Sequence, residues 1–279
     1  MNKLGLIAAG ALTLGAFSVN AAEVPEDGIH ANDYKWFQFN IMHTIDQKPT
    51  FDGQDYKDTY LEMEFGGRSG LFDLYGYVDV FDITDSSSSS KHETGGLFMK
   101  FAPRMSLDYL FNKDLSVGPV QEWYISSLNN FDSNLQEHFI GVGADVNVPW
   151  LGKTGMNLFA RYSAKNFGNP DEGKFNGYQF SMNWFKPFYF LENGSFVSFQ
   201  GYWDHLFGAS DYSDQAGRVS SGGAAFFGLY WHSDRFALGY GAKYFYDVYG
   251  QEDGAASFVP GQQVDATGLG HYFSATYKF

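Results

Sequence analysis

The feature that most limits how this chain can fold is an alternation of side-chain type with period two, repeated from about residue 34 onward. In the final segment Leu269, His271, Phe273, Ala275, Tyr277 and Phe279 share one face, and Gly270, Tyr272, Ser274, Thr276 and Lys278 share the other. Leu71 to Asp82 splits in the same way: Phe72, Leu74, Gly76, Val78 and Val80 oppose Leu71, Asp73, Tyr75, Tyr77, Asp79 and Phe81. Asp58, Tyr60, Glu62 and Glu64 oppose Leu61, Met63 and Phe65. Successive side chains of a strand point to opposite faces, whereas helical neighbours on one face are three or four residues apart. The spacing therefore selects strands with one face for an apolar medium and one for water.

Beyond the first residues, no stretch approaches the roughly 20 apolar residues that a spanning helix needs. Two-faced strands can meet lipid only in a closed barrel, because an open sheet edge leaves backbone N–H and C=O groups unpaired in hydrocarbon. Candidate strands lie near 34–43, 57–65, 71–82, 96–105, 114–127, 137–147, 154–164, 175–185, 194–204, 223–232, 235–246 and 267–279. These are twelve, and single-chain bacterial barrels have an even number. The expected fold class is all-β, a single transmembrane antiparallel β-barrel of 12 strands over residues 22–279.

Connection lengths alternate accordingly. Gly66 to Gly70, Pro149 to Lys153 and Ser233-Asp234 read as short turns, and Ile83 to Gly95, His205 to Gly222 and Asp247 to Ala266 as long loops. The barrel rule puts the short turns and both termini on the periplasmic side. The long segments are rich in Ser, Gly and Asp and read as flexible solvated loops.

The first 21 residues have the make-up of a secretory signal. Lys3 supplies a basic start, Leu4 to Phe17 is small and apolar, and Val19-Asn20-Ala21 is a cleavage site, giving a mature chain from Ala22. The chain has no Cys, so neither disulfides nor thiolate zinc sites are available to it. It carries 18 basic and 32 acidic residues, and losing Lys3 deepens the formal net charge from −14 to −15, which argues against nucleic acid as a partner. Aromatic residues reach 19% although only 44% of the chain is hydrophobic, a mixture suited to a lipid band, aromatic girdles and a polar interior.

Alternation also nominates the residues that line the interior: Asp58, Tyr60, Glu62, Glu64, Asp73, Tyr75, Tyr77, Asp79, Glu122 and Tyr124. Carboxylates accept hydrogen bonds from hydroxyl and amino groups, and ring faces stack on planar solutes. Such a lumen favours neutral polar solutes and cations over anions. Lys100, Arg104, Arg161 and Lys243 are the candidate counter-charges that keep these acids from repelling one another. The alternative is that these side chains only fill and stiffen a narrow barrel. Gly141, Gly143, Gly239 and Gly241 fall on the inner face, where they leave room for solute or, as the favoured reading, mark bends in the wall.

An enzyme is not expected. Ser86 to Ser90 has no nucleophile-elbow glycines, and the seven His are scattered without metal-ligand spacing. His92-Glu93 and Glu137-His138 read as solvated loop or strand ends. No cofactor and no metal are expected either.

Several segments resemble one family closely. Asp58-Thr59-Tyr60-Leu61-Glu62-Met63-Glu64-Phe65 with Phe72-Asp73-Leu74-Tyr75-Gly76-Tyr77-Val78-Asp79, Phe98 to Ser106, Gly118 to Tyr124, and Gly270-His271-Tyr272-Phe273 are similar to the nucleoside-specific channel-forming outer-membrane proteins, the Tsx family, and most of all to its OmpK branch of vibrios and relatives. The resemblance implies a monomeric porin of twelve strands that passes nucleosides by diffusion. It further implies that Asp58, Tyr60, Glu62, Asp73, Tyr75, Tyr77, Arg104, Glu122 and Tyr124 line the solute path, and that the outer loops serve bacteriophages, and in some members colicins, as receptors. The expected partners are outer-membrane lipid and lipopolysaccharide, nucleosides or similar small polar solutes, and bacteriophage at the outer loops. Two competing expectations are a surface scaffold or phage receptor whose pore is incidental, and a soluble periplasmic β-protein.

Overall fold

The computed structural model describes residues 28–92, 96–210 and 217–279. The expected signal, residues 1–21, lies outside them. The strands are β1 (Tyr34–Gln47), β2 (Tyr56–Ser69), β3 (Phe72–Val80), β4 (Leu97–Phe101), β5 (Arg104–Ser106), β6 (Val120–Phe131), β7 (Leu135–Val148), β8 (Gly152–Asn166), β9 (Lys174–Phe190), β10 (Phe196–Phe207), β11 (Gly222–His232), β12 (Phe236–Tyr246) and β13 (Gly268–Lys278). A short helix, α1 (Leu107–Phe111), follows β5.

Consecutive strands pair antiparallel except β4 with β5, and β1 pairs with β13 from Gln38–Lys278 to Ile45–His271, so the sheet closes on itself. β4 and β5 occupy one place in the ring, because both lie between β3 and β6. The barrel thus has 12 strands, the fourth of them interrupted. The break falls at Ala102-Pro103, where a proline cannot donate to the ladder; the Pro103 carbonyl still accepts from Ser127 N–H at 3.0 Å.

Burial is the reverse of a soluble domain. Ile41, Ile140, Val142, Leu158, Leu229 and Leu238 are exposed on the outside, while Asp58, Glu122, Ser126, Asp145 and Arg161 are buried within. Hydrocarbon accounts for the first set and a polar lumen for the second. Exposed rings crowd both rims. Trp150, Phe188 to Phe190, Phe236, Tyr277 and Phe279 lie toward the termini, and Phe175, Tyr178, Trp203 and Tyr244 toward the long loops. Tyr and Trp rings of this kind sit at membrane interfaces, apolar body inward and polar tip toward water.

Three local expectations are corrected. Gly66 to Ser69 is the end of β2, and the turn is confined to Gly70-Leu71. Gly66 is small because the Trp36 ring of β1 lies over it, 2.7 Å from where a β-carbon would stand. The fifth strand starts at Val120 and not near 114, since residues 107–119 hold α1 and its return. Ser106 Oγ accepts from Tyr109 N–H at 3.3 Å, Asn112 ends the helix in the left-handed region, and Asp108 accepts from Leu115 N–H at 2.8 Å and Trp123 N–H at 3.2 Å.

The long β12–β13 connection is the third correction. It is pinned inward, with Val248, Val264 and Ala266 in one cluster with Met42, Tyr60, Phe226, Phe245 and Tyr272. Thr50 and Asp265 exchange backbone hydrogen bonds at 2.9 and 3.0 Å, Lys48 pairs with Asp265, and Glu252 N–H reaches Gly217 C=O at 2.7 Å. Apolar side chains at its base override its polar composition and fold it over the barrel mouth.

Candidate functional site: the lumen

Inward positions follow from the register. Thr44 faces Asp58, Met42 faces Tyr60, Asn40 faces Glu62 and Gln38 faces Glu64 across β1–β2. Asp79, Tyr77, Tyr75 and Asp73 continue the same rows on β3, opposite Glu62, Glu64, Gly66 and Arg68. Lys100 stands beside Tyr77, and Arg104 beside Asp73. Period two then carries the inner face through Glu122 and Tyr124 on β6, Arg161 on β8 and Lys243 on β12. All fourteen nominated side chains lie on the inner face, but they fall into three groups along the bore.

The group nearest the termini is a network of ion pairs. Arg68 binds Glu122 in a bidentate contact of 3.0 and 2.7 Å, with its guanidinium 4.2 Å over the Tyr109 ring of α1. Arg104 pairs with Asp73, and with Asp145 at 2.9 Å, and lies 4.0 Å over the Tyr124 ring. Lys153 and the Tyr124 hydroxyl reach Asp145 at 2.6 and 2.9 Å. With every acid answered by a guanidinium, an ammonium or a hydroxyl, this group is built to hold the wall together.

The middle group is unbalanced. Glu62 and Asp79 are cross-strand partners, and Glu64 is two residues along from Glu62. Their hydrogen bonds come from neutral groups: Gln38 to Glu64 at 2.6 Å, Asn40 to Glu62 at 2.6 Å and to Glu64 at 3.1 Å, and Tyr75 to Glu64 at 2.9 Å. Lys243 is held instead among rings, 4.9 Å from Phe245, 5.6 Å from Tyr202 and 5.7 Å from Tyr272. Acids and an ammonium therefore share one level of the bore without being locked in a salt bridge. Tyr60, Tyr77, Tyr202 and Tyr272 line the same region.

The third group stands near the long loops. Arg161 pairs with Glu137 at 2.7 Å and with Asp171 at 3.1 Å, and Asp171 also accepts from Ser163, Asn166 and Asn176. Burial raises the Asp171 carboxyl, but hydrogen bonds from Asn176 and Asn166 and the Arg161 charge outweigh it and leave the group below its ordinary value. Arg161 thus belongs to a packed cap. Beneath it Leu128, Phe139 and Phe159 fill part of the bore.

Three of the four inner-face glycines, Gly143, Gly239 and Gly241, have a different cause from those weighed in the sequence. A β-carbon at Gly239 would stand 2.1 Å from the Tyr230 ring, and one at Gly241 2.1 Å from the Phe226 ring. Their space is taken by cross-strand aromatic side chains. Gly143 similarly makes way for Ser126 and Asn157.

Several inward residues were not nominated: Gln38, Asn40, Arg68, Asp145, Lys153, Tyr202 and Asp204. Extending the period-two row through Trp36, Gln38 and Asn40 would have found the first two, the row Ser198, Gln200, Tyr202 and Asp204 the last two, and continuing the Asp58–Glu64 row would have reached Arg68. Asp82, Asp85 and His92 bring ligand atoms within 4.8 Å of one another on the serine-rich loop, where His92 contacts Asp82 at 3.2 Å and Asp85 is open to solvent. Ser198 Oγ and His232 Nε2 share a hydrogen bond of 2.8 Å, with both side chains fully buried.

Comparison with known proteins gives a consistent result. The profile described as nucleoside-specific channel-forming protein, Tsx, matches residues 31–279. The chain is similar to outer membrane protein OmpK of Vibrio parahaemolyticus, with 52% identity over 281 residues covering 99% of this chain and 100% of that one. It is also similar to the nucleoside-specific channel-forming protein Tsx of Escherichia coli O157:H7, with 31% identity over 299 residues covering 99% and 100%.

Proposed function

The chain belongs to the Tsx family of channel-forming outer-membrane proteins, and we propose that the solutes its lumen passes are nucleosides. It is an outer-membrane channel; the proposal concerns its cargo and the residues that handle it. The observation behind it is the middle group, where Glu62, Glu64 and Asp79 stand beside Tyr60 and Tyr77 at the same level of the bore as the ring-held Lys243. Ribose hydroxyls donate to the carboxylates, the base stacks on a tyrosine ring, and base acceptors meet the Lys243 ammonium. Weak contacts repeated along the bore allow entry and release, so diffusion down a gradient suffices. Arg104, Asp73, Glu122 and Tyr124 hold the wall in shape on the terminal side of this level and Arg161 on the long-loop side; Lys100 adds to its lining, and Asp58 is buried where it accepts from Asp82 N–H of the serine-rich loop at 3.1 Å.

The test is single-channel recording in planar bilayers. Added nucleosides reduce the ion current saturably, free ribose reduces it less, and Glu62→Gln weakens the nucleoside block about tenfold, as expected for losing a charged hydrogen bond. Current through folded protein that is indifferent to millimolar nucleoside would falsify the cargo.

A second reading, a receptor for bacteriophage at the long-loop end, is favoured by Phe258, which is 80% exposed at the tip of the β12–β13 connection. Phe258→Ser tests it, because it alters adsorption without touching the bore.

A further inference from the structure

Lys100 and Asp204 approach within 3.8 Å although they stand on nearly opposite walls. Counting β4 and β5 as one place, Lys100 is on the fourth strand of the ring and Asp204 on the ninth. A round barrel of twelve strands, spaced about 4.8 Å and tilted about 40°, measures about 24 Å across its backbone. Lysine and aspartate side chains reaching toward each other span about 10 Å together. The contact is therefore made where the bore is pinched, and it crosses the open cross-section.

The pair differs from the Arg68–Glu122 contact, which also joins strands that are not neighbours in the ring. Arg68 and Glu122 are bidentate, with side-chain exposures of 9% and 3%. Lys100 and Asp204 keep 19% and 27%, at a distance outside a good hydrogen bond. Among the described residues, nothing donates a hydrogen bond to the Asp204 carboxylate. Its cross-strand neighbours are the small Ser181 and Ala224. Lys100 lies between Tyr77 and Asn130, its ammonium 5.7 Å from the Tyr77 ring. Both side chains keep accessible surface, so Asp204 can take another donor while Lys100 keeps its contact with the Tyr77 ring face.

We infer that the Lys100–Asp204 pair is a movable bar across the solute path, and that Asp204 is a specificity-determining residue of the channel. When closed, the bar divides the bore; when a solute hydroxyl or amino group donates to Asp204, Lys100 is left to the Tyr77 ring alone, swings toward that wall and the path opens. Solutes with hydrogen-bond donors open it, and those with only acceptors do not. The inference needs a conducting barrel and no particular cargo.

The experiment is conductance and reversal potential in potassium chloride, without nucleoside, for wild type, Lys100→Ala, Asp204→Ala and the charge swap K100D/D204K. Folding is checked by the β-spectrum of each variant in detergent. Either single substitution raises the conductance about twofold, Asp204→Ala moves selectivity toward anions and Lys100→Ala toward cations, and the swap returns the conductance to wild type by re-forming the pair. Singles that conduct like wild type, or a swap that conducts like the singles, overturns the bar. Absence of current in wild type itself would instead strike at pore formation.

Discussion

Arg68 and Glu122 close a bidentate ion pair between β2 and β6, strands that are not neighbours in the ring. It cross-braces the bore near the termini. Both partners are almost wholly buried, so removing one leaves the other charged and unanswered.

Glu122→Gln or Arg68→Ala should accordingly destabilise the folded barrel by about 3 to 5 kcal/mol, whereas a Met–Met replacement of both should cost much less. Urea unfolding in lipid vesicles measures this. Equal losses for the single and double variants would mean that packing, and not the charge pair, holds this end.

The glycines under Phe226 and Tyr230 lead to a second expectation. Gly239→Ala and Gly241→Ala force a ring to tilt and should cost about 1 to 3 kcal/mol by overpacking. Tyr230→Ala should rescue Gly239→Ala and leave Gly241→Ala unchanged. Additive losses at 239 and 230 would show that the ring and the glycine do not share space.

The cap around Asp171 sets the response to acid. Its carboxyl lies below the ordinary aspartate value of about 3.9, so the folded state binds its proton less readily than the unfolded chain. The stabilisation is complete above about pH 4 and is lost as pH falls through the lower folded value. Unfolding measured from pH 7 down to pH 3 should show an acid-side loss in wild type that is smaller in Asp171→Asn. Parallel curves for the two would assign the loss to other carboxylates.

The strands were legible because one short-range rule, the side-chain period of two, decides both pairing face and environment. All twelve candidates overlap observed strands for this reason. The interruption at Pro103 was visible only as a proline in an otherwise regular run, and α1 was missed because its five residues are too few to show a helical period. Side chains that meet across the bore are harder still. Lys100 and Asp204 are 104 positions apart, and their contact depends on how far the ring is flattened, which no local pattern encodes. The same limit explains why Gly239 and Gly241 read as bends: the rings that need their space belong to the next strand.

The seam between β1 and β13 joins residues from opposite ends of the described chain, Gln38 with Lys278 at one extreme and Ile45 with His271 at the other. Until that seam zips, every intermediate in biogenesis exposes two raw strand edges, and no smaller unit of the chain can rest stably in lipid. Assembly must then be all or none, with the last strand delivered to the first as its committing step.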